Sequence, residues 1–325
     1  MKLHLTQFQK RLCNILQDGL PICRRPFADI AVFLHSNETQ VLSETAKLKA
    51  QGVIRRICAL INHRALGRFS TLVAAHVAQD ELGTVTEIIN AMSSVSHNYL
   101  RKHFYNLWFT LQGRSERELE VEIGKLSSRL GIKFHSLAAE KVFKLGVRFD
   151  AGSGGKALLP DIGEHIENEP VKLSENQKII LQKLQEDLEV VKHPFDTLCG
   201  GNIDRLTVFK TIETLLNKGL IRRIAAVVNH RKLGFTANLM FCCKVEPERV
   251  TMAGEKLAQL PIVSHCYQRK TFEGWPYNLF AMMHAGSMGQ IQRTIEQFVR
   301  DCQVADYELL PTETEFKKEP VKYGF

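Results

Sequence analysis

The chain has 325 residues, of which 44% are hydrophobic and 24% are charged, an ordinary composition for a soluble globular protein. Its formal net charge of +8 favours an anionic partner, but charge alone does not choose between nucleic acid, a membrane surface and a polycarboxylate. No apolar run approaches the roughly 18 residues that a membrane span needs, so we expect no membrane partner.

The cysteines argue against a metal site. Eight are scattered along the chain and no CxxC pair occurs, whereas zinc ribbons and iron–sulfur sites need clustered thiolates. Residues 1–7 are too polar for the apolar region of a secretory signal, so a disulfide framework is not expected either. We predict buried, inert thiols and a cytoplasmic location.

The chain repeats itself. GVIRRI at residues 52–57 recurs as GLIRRI at 219–224, and NHRALG at 62–67 recurs as NHRKLG at 229–234. The offset is 167 or 168 residues through these blocks and grows to 172 at the YNL motifs of residues 105–107 and 277–279. The second copy therefore carries a short insertion, which contains Gly274, Trp275 and Pro276. Two copies of one module are fused in tandem.

Each copy predicts the same order of elements. In the first copy, helical spacing covers 8–18, a short helix or turn 26–34, and a helix capped at Ser36 or Asn37 ends at Gly52. An alternating strand over 53–62 completes the outline of a winged helix-turn-helix. A strand at 69–77, a helix at 81–92, a hairpin at 95–104 and 106–112, a helix at 115–130 and a strand at 132–138 follow. This βαββαβ order is typical of a ferredoxin-like domain.

The predicted fold class is α+β, with two tandem copies of a winged helix-turn-helix plus a ferredoxin-like domain. The helix-turn-helix domains are assigned to residues 1–67 and 173–234, and the ferredoxin-like domains to 68–144 and 235–325. A glycine-rich and proline-bounded stretch at 145–172 is assigned as the linker. We expect the two copies to pair around a pseudo-twofold axis, as the subunits of a homodimer do.

One polar strand occurs in both copies, as SHNYLR at residues 96–101 and SHCYQR at 264–269. Side chains alternate along a strand, so one face of the first strand carries His97, Tyr99 and Arg101. The matching face of the second carries His265, Tyr267 and Arg269. Such groups are costly to bury. They form either a functional site or a hydrogen-bonded cross-strand cluster.

The motifs GVIRR/GLIRR, NHRALG/NHRKLG, SHNYLR…YNLWFTL and SHCYQR…GWPYNLFAMMH resemble those of the Lrp/AsnC family, and more closely its siroheme decarboxylase branch. In that branch two related subunits form a heterodimer, so the resemblance implies a fused form here. It implies removal of carbon dioxide from the C12 and C18 acetates of siroheme, giving 12,18-didecarboxysiroheme for haem or haem d1 synthesis. No organic cofactor or protein-bound metal is implied, because siroheme is the substrate and brings its own iron. Homologous subunits and a homo-oligomer are compatible with the resemblance as further partners.

The resemblance implies that residues of the two polar strands are catalytic. The candidates are His97, Tyr99, Arg101, His265, Tyr267 and Arg269. Arginine would hold carboxylates and histidine or tyrosine would supply the proton. Candidate substrate-binding residues are Arg55, Arg56, His63, Arg222, Arg223, His230, Trp108, Trp275 and Tyr277. Solvated strand arginines, an interdomain turn and ordinary aromatic packing are the structural alternatives for this second set.

Two other functions stay open from the residues alone. A tetrapyrrole-responsive DNA-binding regulator would use the same fold, but acids at Glu38 and Glu44 of the first reading helix would repel the DNA backbone, so we expect no DNA partner. A non-catalytic tetrapyrrole carrier would bind siroheme without changing its mass. Because the two polar strands differ at their intervening residues, we expect non-equivalent sites and favour the second copy as the reactive one.

Overall fold

The computed structural model describes residues 4–146, 148–152, 171–319 and 323. The first copy follows the predicted order of elements, which are α1 (Gln7–Asp18), α2 (Pro26–Phe33), α3 (Glu38–Ala50), β1 (Ile54–Ile61), β2 (Phe69–Ala75), α4 (Leu82–Ala91), β3 (Val95–Arg101), β4 (Leu107–Gly113), α5 (Glu116–Leu130) and β5 (Phe134–Leu145). Most of the predicted linker, at residue 147 and residues 153–170, lies outside the described residues.

The second copy repeats this order with α6 (Glu175–Leu184), a 3-10 helix (Pro194–Leu198), α7 (Arg205–Asn217), β6 (Ile221–Val228), β7 (Ala237–Lys244), α8 (Val250–Gln259), β8 (Val263–Arg269), β9 (Leu279–Ala285), α9 (Met288–Cys302) and β10 (Asp306–Lys318). Among the described residues, one compact unit comprises 4–67, 148–152, 171–234 and 323, and the other comprises 68–146 and 235–319. One unit holds the helix-turn-helix elements of both copies, and the other holds both ferredoxin-like domains.

In the helix-turn-helix unit, local signals set the helix ends. Asn37 caps α3 by accepting a hydrogen bond from the backbone N–H of Gln40, and Gly52 follows its end with φ at +66°. The strand predicted as a wing is present, but it does not form a hairpin within its own copy. Instead β1 pairs antiparallel with β6, from Ile54 opposite Val228 to Ile61 opposite Ile221. Neither strand has another partner among the described residues, so the two form a two-stranded sheet.

In the barrel unit, the two βαββαβ domains form one closed eight-stranded barrel in the order β10-β3-β4-β2-β5-β8-β9-β7. Apolar residues on one side of each sheet pack against that copy's own helices, α4 and α5 in the first copy and α8 and α9 in the second. A third apolar cluster, which includes Ala74, Trp108, Leu137, Cys242 and Phe280, fills part of the barrel interior. Eight strands enclose an interior that side chains can fill or that can admit a ligand.

The last strand of each copy joins the two halves of the barrel. β5 pairs with β2 through Ala138 and then with β8 from Ala139 to Leu145, while β10 pairs first with β7 and then with β3. The predicted strand end at residue 138 was therefore wrong, because the strand continues onto the other copy. The expected pairing of the copies about a pseudo-twofold axis is confirmed, in the form of this shared barrel.

All eight cysteines are free thiols, and six of them are buried. Burial raises the pKa of Cys13 and of Cys266 to about 12, so these two stay protonated and unreactive at neutral pH. Within the described part of the chain, no helix combines the length and the apolarity that crossing a bilayer requires.

Candidate active site

The two polar strands, β3 and β8, lie on opposite walls of the barrel, four strands apart in either direction. Tyr99 is opposite Trp108 on β4, and Tyr267 is opposite Phe280 on β9. Because Trp108 and Phe280 belong to the interior cluster, both tyrosines face the interior as well. The barrel therefore brings the two predicted catalytic rows around one enclosed space.

A β-bulge turns each histidine towards this interior. On β3, Val95 is opposite Leu111 but His97 is opposite Thr110, so Ser96 is an extra residue without a cross-strand partner on β4. Val95 consequently packs in the outer core while His97 points inwards. β8 carries the corresponding irregularity. Alternation along the strand predicted that the residues of each row share a face. It did not predict the bulge that turns the histidine to the interior.

The bulge serines hold the histidines. Ser96 Oγ lies 2.8 Å from His97 Nδ1, and Ser264 Oγ lies 2.9 Å from His265 Nδ1. Ser264 Oγ also donates to the carbonyl oxygen of Met282 at 3.2 Å, which uses its one proton. His265 Nδ1 must then be the donor to Ser264, so the neutral ring carries its proton on Nδ1 and its lone pair on Nε2.

Each row is a stack of histidine, tyrosine and arginine. The ring centroids of His97 and Tyr99 are 6.1 Å apart, and those of the second row are 6.3 Å apart. The guanidinium carbon of Arg101 lies 5.4 Å from the ring centroid of Tyr99, and that of Arg269 lies 4.5 Å from the ring of Tyr267. These distances permit cation–π attraction, which keeps each arginine beside its tyrosine.

The arginines reach across to the other copy. Arg101 Nη1 donates to the carbonyl oxygen of Leu310 at 2.8 Å and to Thr312 Oγ1 at 3.1 Å, while Arg269 Nη1 donates to the equivalent carbonyl oxygen of Leu137 at 2.8 Å. Arg101 is only 3% exposed, and this burial lowers its pKa to about 10. Arg269 is half-buried. The second row thus offers the more accessible guanidinium.

The predicted aromatic residues lie in the interior cluster. Trp108 and Trp275 are each 1% exposed, with ring centroids 5.4 Å apart, and Tyr277 packs against Trp275 at 4.9 Å. Tyr277 donates to Asp306 Oδ1 at 3.3 Å, and burial followed by nearby acidic charge raises its pKa to about 12. This placement favours the packing alternative for the three aromatic residues. Their contact with a ligand stays a prediction.

The sequence-based prediction missed the residues that face the two rows from the long strands. Opposite Arg101, Tyr99 and His97, β10 places three polar residues, which are Thr312, Glu315 and Lys318. Opposite the second row, β5 places three apolar residues, which are Ala139, Val142 and Leu145. The sequence does contain a signal that β5 and β10 are longer than predicted. The dipeptide Phe143-Lys144 recurs as Phe316-Lys317, beyond the predicted strand ends.

The remaining predicted binding residues belong to the helix-turn-helix unit. Arg55 is exposed and the other three strand arginines are half-buried. His63 follows β1, and burial together with the charges of Arg222 and Arg64 lowers its pKa to about 4. His230 is 3% exposed and stacks on Phe149 with ring centroids 5.2 Å apart. His63 is therefore neutral at physiological pH.

Comparison with known proteins matches two family models to this architecture. The AsnC-like ligand binding domain matches residues 65–144 and 232–317, and the siroheme decarboxylase NirDL-like HTH domain matches residues 9–55. These ranges cover both halves of the barrel and the first helix-turn-helix.

Named relatives align with nearly the whole chain or with about half of it. The siroheme decarboxylase of Hydrogenobacter thermophilus is 33% identical over 96% of this chain and 94% of its own length. Crystal structures of the siroheme decarboxylase NirDL, one of them in complex with an iron-uroporphyrin III analogue, superpose with a TM-score of 0.72 at 31% identity, covering 98% of this chain and 94% of theirs. The siroheme decarboxylase alpha subunit of Desulfovibrio desulfuricans is 37% identical over 45% of this chain and 84% of its own length. The chain belongs to the siroheme decarboxylase family of carboxy-lyases.

Proposed function

We propose that the protein removes carbon dioxide from the C12 and C18 acetate side chains of siroheme, giving 12,18-didecarboxysiroheme. The observation that carries this proposal is the pair of His–Tyr–Arg rows facing one barrel interior, each with its histidine held by a serine. The named relatives, which span nearly the whole chain, support siroheme as the substrate.

The rows supply what a decarboxylation needs. Breaking the bond between an acetate carbon and its carboxylate leaves an electron pair on that carbon, and a proton must replace the carbon dioxide. Arg269, half-buried beside Tyr267, is placed to orient a carboxylate through its forked N–H donors. The imidazole or phenol of the same row is placed to deliver the proton.

We propose that no organic cofactor takes part. The conjugated macrocycle of the substrate can accept the electron pair that carbon dioxide leaves behind, which is the service that an electron-sink cofactor gives elsewhere. The iron belongs to the substrate. The chain's own residues then need only bind, orient and protonate.

The helix-turn-helix unit is proposed to contribute substrate-binding groups. Each of the paired strands β1 and β6 carries two consecutive arginines, Arg55 and Arg56 on β1 and Arg222 and Arg223 on β6. Guanidinium groups suit acetate and propionate carboxylates. His63 is neutral, so in this proposal it binds by hydrogen bonding rather than as a cation. His230, which is 3% exposed, is proposed as a second substrate-binding residue.

Three cations of the reading helices are held by neighbouring acids, and this observation supports our proposal on the DNA-binding alternative. The ion pairs are Lys47 with Glu44 at 2.6 Å, Lys49 with Asp187 at 2.8 Å, and Arg205 with Asp196 at 2.8 Å. Phosphate contacts supply most of the non-specific affinity of a DNA-binding protein. We therefore propose that DNA is not a partner, and a gel-shift titration with tight, salt-sensitive binding would contradict this.

The fused chain is proposed to replace two separate subunits, since the alpha subunit of Desulfovibrio desulfuricans matches 45% of it. Further homologous subunits, self-association and a cytoplasmic location stay predictions. Light scattering of the purified chain, with and without siroheme, measures self-association.

The decisive experiment is anaerobic incubation of the purified chain with siroheme, followed by mass spectrometry of the extracted tetrapyrrole. We expect a mass loss of two carbon dioxide units. A variant with both His97→Ala and His265→Ala is the control for non-enzymatic loss. Binding of siroheme with no change of mass would overturn the decarboxylase proposal and favour the carrier.

A further inference from the structure

The long strands β5 and β10 occupy equivalent places in the barrel but face the two rows with opposite chemistry. Lys318 is opposite His97, whereas Leu145 is opposite His265. Glu315 is opposite Tyr99, and the corresponding residue of β5 is a valine. One half of the barrel is therefore polar and charged along this strand, and the other half is apolar.

The charged residues of β10 are paired but not well solvated. Lys318 Nζ lies 3.4 Å from Glu315 Oε2, and the two side chains are 26% and 21% exposed. Thr312, further along the same face, accepts from Arg101 and donates to Asn238 Oδ1 at 3.3 Å. Removing an ion pair from water carries a desolvation penalty that the pair itself often fails to recover.

The barrel itself does not require these charges. The equivalent positions on β5 are filled by Val142 and Leu145, and that seam makes the same antiparallel pairing with the same irregularities. The outer faces of both strands share a lysine, since Lys144 Nζ and Lys317 Nζ each donate to a carbonyl oxygen of the helix–strand turn that precedes the paired strand. The replacement of charged by apolar residues lies on the face that looks into the barrel, where a ligand would meet it.

We propose that the β10 face, through Lys318, binds carboxylates that the substrate keeps, and that the carboxylate that is lost lies against the β5 face beside His265 and Tyr267. This inference rests on the proposed function and deepens it, because it gives the two halves different tasks. An ammonium group is a positive charge with N–H donors, and it suits a carboxylate-rich ligand.

The apolar face suits the carboxylate that leaves. A carboxylate is concentrated charge, and in the transition state this charge spreads into the macrocycle as the carbon–carbon bond breaks. Val142 and Leu145 offer that carboxylate no hydrogen bonds, so the ground state loses more solvation than the transition state does. Carbon dioxide departs, the electron pair enters the ring system, and the acetate carbon takes a proton from the His265–Tyr267 row.

The test exchanges the residues of the two faces: Lys318→Leu and Leu145→Lys. Binding is measured by absorbance titration with iron-uroporphyrin III, and chemistry by single-turnover decarboxylation of saturating siroheme. We expect Lys318→Leu to weaken binding at least tenfold and to slow the bound complex less than Leu145→Lys does. We expect Leu145→Lys to slow the bound complex at least tenfold, while its dissociation constant changes by less than about threefold.

The opposite pattern, or equal effects of the two changes on both measurements, would overturn the inference. The titration needs no turnover, so it separates the two proposals: a chain that binds the probe but leaves siroheme intact refutes the proposed function, while the difference in affinity still judges the role of Lys318. Circular dichroism checks the fold. Lys318→Met, which keeps most of the side-chain stem, replaces Lys318→Leu if that variant does not fold.

Discussion

The two halves of the barrel carry the same row of histidine, tyrosine and arginine, but the rows sit in different surroundings. Arg101 is 3% exposed and bound to the β10 strand, whereas Arg269 is half-buried. Polar residues of β10 face the first row and apolar residues of β5 face the second. Within one chain, the repeated residues thus keep the geometry of a site while the strand opposite them changes its chemistry.

The largest expected effect is that of His265→Ala. Losing a positioned general acid–base group typically slows a reaction by about 10²–10⁴-fold, and we expect the rate of the bound siroheme complex to fall in this range. His97→Ala should lower affinity more and this rate less, because its row faces the polar strand. Single-turnover mass spectrometry gives the rates.

Tyr105→Phe is the matched control for these histidine variants, since Tyr105 packs in the aromatic cluster with its ring 5.8 Å from Trp275. We expect its rate to stay within about twofold of the parent rate. Equal slowing by His97→Ala and His265→Ala, with equal affinities, would show that the two rows have the same task.

The arginines should differ in what they do for stability. Arg101→Ala removes three hydrogen bonds and leaves a cavity in the barrel, so we expect a loss of about 2–4 kcal/mol in the free energy of unfolding. Arg269→Ala should lose less than about 2 kcal/mol because its side chain is partly solvated. Urea unfolding followed by tryptophan fluorescence reports this, since both tryptophans lie in the barrel unit.

Arg101→Met separates volume from charge. Burial lowers the pKa of Arg101 to about 10, because removal from water disfavours the charged form. Methionine should therefore recover most of the stability lost in the alanine variant. If it recovers none, the hydrogen bonds to Leu310 and Thr312 are what the barrel needs.

The seam between the copies is also unequal. On α8, a Cβ added to Gly254 would lie 2.3 Å from the ring of Phe143, which packs in the second outer core. We expect Gly254→Ala to lower the free energy of unfolding by about 1–3 kcal/mol through overpacking. Helix propensity alone predicts a gain of about 1 kcal/mol, so a more stable variant would contradict the close approach.

Thr86 occupies the equivalent position on α4 and serves as the control. Its buried hydroxyl has no hydrogen-bond partner among the described residues. Thr86→Ala removes that hydroxyl, so we expect a change of less than about 1 kcal/mol in either direction. Both variants are measured by the same urea unfolding.

Local patterns in the sequence predicted the order of elements and the shared face of each polar row, because alternation and helical spacing are local properties. They did not predict where β5 ends. Beyond residue 138 the inward-facing residues follow one another every third position, Ala139, Val142 and Leu145, because irregularities in the ladder with β8 break the alternation. Lys318 and Glu315 were missed for the same reason on β10.

The pairing of β1 with β6 could not be predicted from either copy alone. Each strand has the alternation of a wing, and nothing local distinguishes a hairpin partner from a partner in the other copy. The internal repeat indicated a twofold relation, but the strands that carry it are fixed by tertiary packing. The residues of the two rows could therefore be predicted, but the residues of β5 and β10 that face them could not.

The smallest expected effect concerns the serines that hold the histidines. Ser264 donates to the carbonyl oxygen of Met282 and accepts from His265 Nδ1, so it fixes one tautomer of that ring. Ser264→Ala should release this constraint and slow the bound siroheme complex by up to about tenfold. Ser264→Thr keeps the hydroxyl and should restore the rate, which a purely steric role for the small serine would not allow.

Nitrogen-15 NMR of histidine-labelled protein, with His265→Gln to assign the signal, measures the tautomer directly. Among the described residues, Ser96 Oγ makes no hydrogen bond to a carbonyl oxygen that matches the one of Ser264. Ser96→Ala should therefore change the His97 tautomer less than Ser264→Ala changes that of His265. Equal changes would remove this difference between the halves.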